Sequence, residues 1–289
     1  MAGTSPTVRQ RELGTRLRVL RVDRGMTVEE VAEKLLCSAT KISRLETGAR
    51  RPSLRDVRDL CQLYDIDEST SADLMALARQ AREQGWWAQY EDLKLDPYIG
   101  LEQEAISITS YTMFYFPALL QTEEYAGVII KAMAPRIDPV IHQQRVEARL
   151  RRQQLLVPEN RPRYRVLLDE AVLHHRLGDS AVMVGQLEKT LKLIQDGMTM
   201  VQIIPFDYGV RAGQDSNFVL LEFEEDSNLP PVVFVESLTG MQFLERRTDI
   251  IRYREAVEYL RDSALSPRDS SARISEAIKM YTKEQSAAS

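Results

Sequence analysis

Residues 27–48 read TVEEVAEKLLCSATKISRLETG. Thr27 is followed three residues later by Glu30, the spacing of a capping box, so a helix is expected to open there. Val28, Val31, Ala32 and Leu35 recur at helical spacing and form its apolar stripe. Leu36 and Cys37 then make a short turn. Ser38 is expected to cap the next helix, Ala39–Thr47, and Gly48 to end it. Ile42 and Leu45 are the inward pair of that second helix. Ala32 is small where the two helices must approach. Together these features predict a helix-turn-helix.

The neighbouring sequence supports the same architecture. A helix near Val8–Arg24 places Leu13, Leu17 and Leu20 on one face, and Gly25 stops it. Arg50, Arg51 and Pro52 form a loop. Ser53 caps a fourth helix carrying Leu54, Val57, Leu60 and Leu63, and a fifth is expected near Ser71–Gln84. Residues 1–84 are thus read as an all-α helix-turn-helix domain of five helices. Residues 85–100, GWWAQYEDLKLDPYIG, break the helical period and are read as the connection between domains, with Trp86 and Trp87 as a staple. Residues 101–289 mix periods. Strands are expected at Ile106–Tyr111, Tyr164–Leu168, Met198–Ile204, Phe218–Glu224 and Val232–Glu236. Helices are expected at Thr122–Met133, Pro139–Leu156, Glu170–Arg176, Ser180–Gln195, Thr248–Ala264 and Pro267–Lys283. This reads as an α+β domain for regulation or dimerisation, with a helical tail.

With Ile42 and Leu45 turned inward, Ala39, Thr40, Lys41, Ser43 and Arg44 point out. A helix of this size fits a major groove with its first turns nearest the bases. Arg44 has the fork that matches guanine O6 and N7. Thr40 and Ser43 offer hydroxyls, and Ala39 suits a thymine methyl. Lys41 is expected to face phosphate or solvent. The amide ends and hydroxyls at Thr27 and Ser38 suit phosphate oxygens. Arg50 and Arg51 add charge beside the backbone.

Charge is unevenly spread. Residues 1–60 hold 13 Lys and Arg against 8 Asp and Glu, whereas the remainder holds 25 against 35. A basic head on an acidic body assigns an anionic partner to the head. Arginine supplies 30 of the 38 basic residues, a bias that genome composition also produces. No apolar run reaches the roughly 18–20 residues that span a bilayer. The opening MAGTSPTVRQRELG has no apolar core of a signal peptide, and Cys37 and Cys61 are too few for a disulfide framework. A cytoplasmic protein is the expectation. His174 follows Glu170 at i, i+4, but no second cluster completes a metal site, and HExxH, GxSxG, P-loop and GxGxxG patterns are absent. No cofactor, no metal and no enzymatic activity are therefore expected. The stretch RVEARLRRQQ, residues 145–154, is read as a solvated or interface helix face. Asp207–Asn217 is read as a surface loop rather than a lid over an effector pocket.

The segments LGTRLRVLRVDRGMTVEEVAEKL, CSATKISRLETG and RRPSLRDVRDLCQLYDI resemble the lambda-repressor-like, xenobiotic-response-element (XRE) family of helix-turn-helix regulators. The resemblance implies an ion pair between Arg21 and Glu46 and base-reading positions at Ala39, Thr40, Ser43 and Arg44. Leu36 departs from the pattern, because that turn usually carries glycine. Further along, YIGLEQEA, LLQTEEYA, RLRRQQLL, LDEAVLHH, VQIIPF, NFVLLEF and VFVESLTG resemble the C-terminal Scr1-type antitoxin-like regulator domain of an actinobacterial family. That pairing implies a transcriptional regulator, alternatively an antitoxin-like protein that binds a small partner protein encoded nearby and uses DNA binding for autoregulation. Because one reader covers few base pairs, a homodimer on double-stranded DNA is expected, with most of its contact in the second domain or the helical tail.

Overall fold

A computed structural model describes residues 5–90, 96–157, 161–209, 216–225, 229–237 and 240–288. The chain divides into two compact units, residues 1–104 with 223–230, and residues 105–222 with 231–289. The first contains α1 (Pro6–Asp23), α2 (Val28–Lys34), α3 (Ala39–Glu46), α4 (Leu54–Leu63) and α5 (Glu68–Gln80). Thr27, Ser38 and Ser53 cap the second, third and fourth of these as expected, each accepting a first-turn N–H. The stripes meet in one core of Leu13, Leu17, Val31, Ala32, Ile42, Leu45, Val57, Leu60, Leu74 and Leu77. α5 starts before the expected Ser71, because Asp67 accepts from the Thr70 N–H and caps it.

The residues read as the connection between domains hold local structure of their own. Trp86–Gln89 make a 3-10 turn with Trp87 buried, and α6 (Asp96–Glu104) follows. Tyr98, Ile99 and Leu101 are buried in this unit. They supply a helical stripe that the aromatic-rich sequence concealed. A Cβ on Gly100 would lie 2.5 Å from the Thr7 hydroxyl, so glycine permits the close approach of α6 to α1.

The second unit is α+β. In chain order it holds β1 (Ser107–Thr112), α7 (Glu123–Met133), α8 (Pro139–Arg152), β2 (Arg163–Asp169), α9 (Ala171–His174) and α10 (Ser180–Gln195). There follow β3 (Met200–Ile204), β4 (Phe218–Glu222), β5 (Val232–Ser237), β6 (Gly240–Leu244), α11 (Arg247–Ser263) and α12 (Pro267–Ala288). The six strands lie in the order β3-β2-β1-β4-β5-β6. β1, β2 and β3 run parallel, joined through helices, and β4, β5 and β6 continue the sheet antiparallel. β6 was not expected from sequence. It is an edge strand with only half-buried apolar residues, held by Phe243 directly opposite Phe234.

Tyr111, Leu167, Ile204, Phe218, Leu220 and Val233 share one face of the sheet and pack under Ile250, Val257 and Leu260 of α11. The tail helix α12 is built into this unit, with Ile274, Ala277 and Tyr281 buried and the Tyr281 hydroxyl donating to the Leu173 carbonyl at 3.0 Å. It also shields the β3 edge. Ser270 accepts from the Ile203 N–H at 3.0 Å, and the Leu265 N–H donates to the Ile203 carbonyl at 2.8 Å. No helix among the described residues is long and apolar enough to cross a membrane.

Candidate nucleic-acid interface

α3 is eight residues long and buries Ile42, Leu45 and Glu46. Thr40, Ser43, Arg44 and Thr47 are exposed, and Ala39 and Lys41 are half-buried. The five expected outward residues are therefore not equivalent. Thr40, Ser43 and Arg44 form an open polar face. Ala39 packs partly against the core. Lys41 is drawn aside, because its Nζ donates to Asp56 Oδ1 on α4 at 2.6 Å. The structure thus places Lys41, expected to face phosphate or solvent, in an ion pair with a neighbouring helix. Burial is the largest influence on Asp56 and pushes its pKa up, but hydrogen bonds from Lys41 and Ser53 outweigh it and hold the carboxyl below its ordinary range.

The two helix starts also differ. At α2, the Thr27 N–H donates to Glu30 Oε2 at 2.7 Å and the Thr27 hydroxyl donates to the same oxygen at 2.9 Å. Those hydrogen bonds hold the Glu30 carboxyl below its ordinary pKa. Thr27 is thus occupied by a carboxylate, which repels the phosphate it was expected to take. At α3, the Ser38 hydroxyl accepts from the Lys41 N–H at 3.2 Å, and no acidic residue stands in the first turn. No acidic residue of α3 itself offsets the positive end of this helix dipole. Arg50 and Arg51 are exposed beyond the other end of α3, where the Arg50 N–H donates to the Arg44 carbonyl at 2.9 Å.

Arg21 and Glu46 tie the end of α1 to the end of α3. Arg21 Nε and Nη2 donate to the two carboxylate oxygens at 2.6 and 3.0 Å, and Nη1 donates to the Met26 carbonyl at 2.6 Å. The pair is mostly buried and bidentate, and the Glu46 hydrogen bond raises the Arg21 pKa. Beside it, a Cβ on Gly14 would stand 2.6 Å from the carbonyl oxygens of Leu45 and Glu46. Gly14 lets α1 touch the last turn of α3. Sequence reading missed that role, although a glycine between Leu13 and Leu17 inside a helical stripe is the signal for it.

Four helices of this unit end at a residue of positive φ. Gly25, Leu36, Gly48 and Asp65 have φ of 65°, 49°, 65° and 49°. At Leu36 the N–H donates to the Glu33 carbonyl and the next N–H, of Cys37, donates to the Ala32 carbonyl. These bonds form a Schellman motif, which favours glycine at the left-handed residue. The turn keeps its usual geometry and strains the leucine instead, with Leu36 95% exposed.

The other candidate chemistry disperses. Cys61 is buried and Cys37 half-buried, both as free thiols. Burial pushes the Cys61 thiol up in pKa. Glu170 accepts from the Phe206 N–H at 3.0 Å and pairs with Arg273, while the His174 ring stacks on Phe206. Among the described residues no three His, Cys, Asp or Glu gather around a cation position. Within residues 145–154, Val146 and Ala148 are buried and Arg149 donates to Gln121 Oε1 at 2.9 Å, so this face packs within its unit. Most of the segment Asp207–Asn217 lies outside the described residues.

A family model described as a helix-turn-helix domain matches residues 12–74, which cover most of α1, all of α2 to α4 and part of α5. A second, described as a domain of unknown function (DUF5753), matches residues 95–276. No curated protein matches. The first match agrees with the all-α unit and supports a DNA-binding regulator in general terms.

Proposed function

We propose that this chain, which belongs to the DUF5753 family over more than half its length, is a sequence-specific transcriptional regulator, a binding protein rather than an enzyme, that lays α3 in the major groove of DNA. The carrying observation is the division of α3. Ile42, Leu45 and Glu46 anchor it, while Thr40, Ser43 and Arg44 stand open beside a helix start with no acidic residue of its own. Arg44 reads a base edge, Thr40 and Ser43 adjust to theirs, and Ser38, Arg50 and Arg51 hold phosphates. Lys41 serves this face only indirectly, by fixing α3 against α4. The likeness to XRE-type regulators supports the same docking.

The regulator acts as a homodimer on a two-fold site in the cytoplasm, since two linked readers gain affinity from effective concentration. The apolar stripe of α12 is already used within its own unit, so contact between copies falls on other surfaces of the second unit. The test is selection of bound duplexes from a randomised pool with the full chain, together with its sedimentation. The expected result is a motif repeated with two-fold symmetry about 34 Å apart and a dimer in solution. Binding without sequence preference would sink the reading.

A further inference from the structure

The sheet face under α11 is covered only in part. Toward the starts of β1, β2 and β3, within the second unit, a groove of about 860 Å³ remains open. Register builds its floor. Ser107 lies opposite Arg163 and Thr109 opposite Arg165 on the parallel pair β1 and β2. Residues two apart share a face, so these four side chains stand together. Met200 lies beside Arg165, and Leu220 beside Thr109. Val257 of α11 forms part of the wall.

The groove carries an excess of positive charge. Glu222 is held by Arg254 at 2.7 Å and Glu258 by Arg261 at 2.6 Å, which leaves Glu255 as the remaining lining acid. Against it stand Arg161, Arg163 and Arg165, none of which makes a salt bridge among the described residues. Arg161 reaches only the Met198 sulfur, at 3.0 Å. Arg165 Nε is buried without a hydrogen-bond partner, an arrangement that costs stability until an acceptor arrives. Burial, and then Arg261 and Arg163 nearby, hold the Arg165 pKa below its ordinary value against the pull of Glu258. The Ser107 and Thr109 hydroxyls also have no partner among the described residues.

We propose that this groove binds a small organic anion, a carboxylate or phosphate monoester on an apolar chain or ring. The anionic group sits between Arg163 and Arg165, in reach of the Ser107 and Thr109 hydroxyls. The apolar part lies on Met200, Leu220 and Val257. The volume is in the range of small-ligand pockets, whose lining is mainly apolar with a few converging polar groups. The assignment does not depend on how α3 is used.

Calorimetric titration of the full chain with octanoate, octyl phosphate and octylammonium tests it. One or both anions bind saturably at one site, and the better of the two tells carboxylate from phosphate. Octylammonium does not bind. Arg163→Gln removes an exposed side chain without a partner, so it leaves the fold intact and weakens the anion about tenfold. Arg165→Gln does the same. The assignment falls if neither anion saturates the site, or if both variants bind as well as the parent chain. It also falls if Arg163→Gln weakens duplex DNA instead of the small anions, which would make the groove a nucleic-acid surface.

Discussion

Lys41 on α3 and Asp56 on α4 are joined at 2.6 Å, with side chains 27% and 17% exposed. A lysine expected to point outward thereby ties α3 to α4.

The ion pair makes stability pH-dependent in a stated direction. The folded Asp56 carboxyl is held below its ordinary pKa. Its stabilisation is therefore fully present above the unfolded aspartate value and lost as pH falls through the folded value. Lys41→Ala is expected to cost about 1–2 kcal/mol at pH 7. It also removes this part of the acid dependence. Urea unfolding at pH 7 and pH 3 checks both, and an equal loss at the two pH values would refute the pairing.

Leu36→Gly is expected to stabilise the chain. A leucine at φ 49° is strained, and at 95% exposure it returns little burial. Relief of about 1–2 kcal/mol outweighs the added freedom of unfolded glycine, for a net gain of about 0.5–1 kcal/mol. Leu36→Ala keeps the strained backbone and gains nothing. Thermal unfolding of the three chains distinguishes them.

Gly14→Ala is expected to cost about 2–3 kcal/mol. The new methyl meets two backbone oxygens at 2.6 Å, and backbone cannot rotate aside. Arg21→Ala is expected to cost about 3–5 kcal/mol by stranding Glu46. Both should weaken DNA binding only as far as they unfold the first unit. A melt followed by circular dichroism beside a binding titration separates the two effects.

Arg44→Ala and Arg51→Ala should fail differently. The first loses about 1–3 kcal/mol on the selected site and relaxes one base position. The second weakens all duplexes alike and lowers the salt slope by about one. Anisotropy titrations on specific and scrambled duplexes across a salt series read both. An unchanged specific affinity for Arg44→Ala would disprove the assigned face.

What the sequence by itself determined is local. Thr27, Ser38 and Ser53 act on N–H groups three residues away, and the stripes of α1 to α4 follow from helical spacing, so both were legible without the fold. The pairing of Arg21 with Glu46 was legible only through resemblance. Tertiary structure decided what depends on distant chain segments meeting. Asp56 reached Lys41 across two helices, Gly14 met the end of α3, and α6 found its stripe against α1. The register of β1 against β2 put Ser107, Thr109, Arg163 and Arg165 on one open face. Caps and periods are short-range, written within one turn of chain. Ion pairs between helices, close approaches and grooves are set by packing, which no single segment encodes.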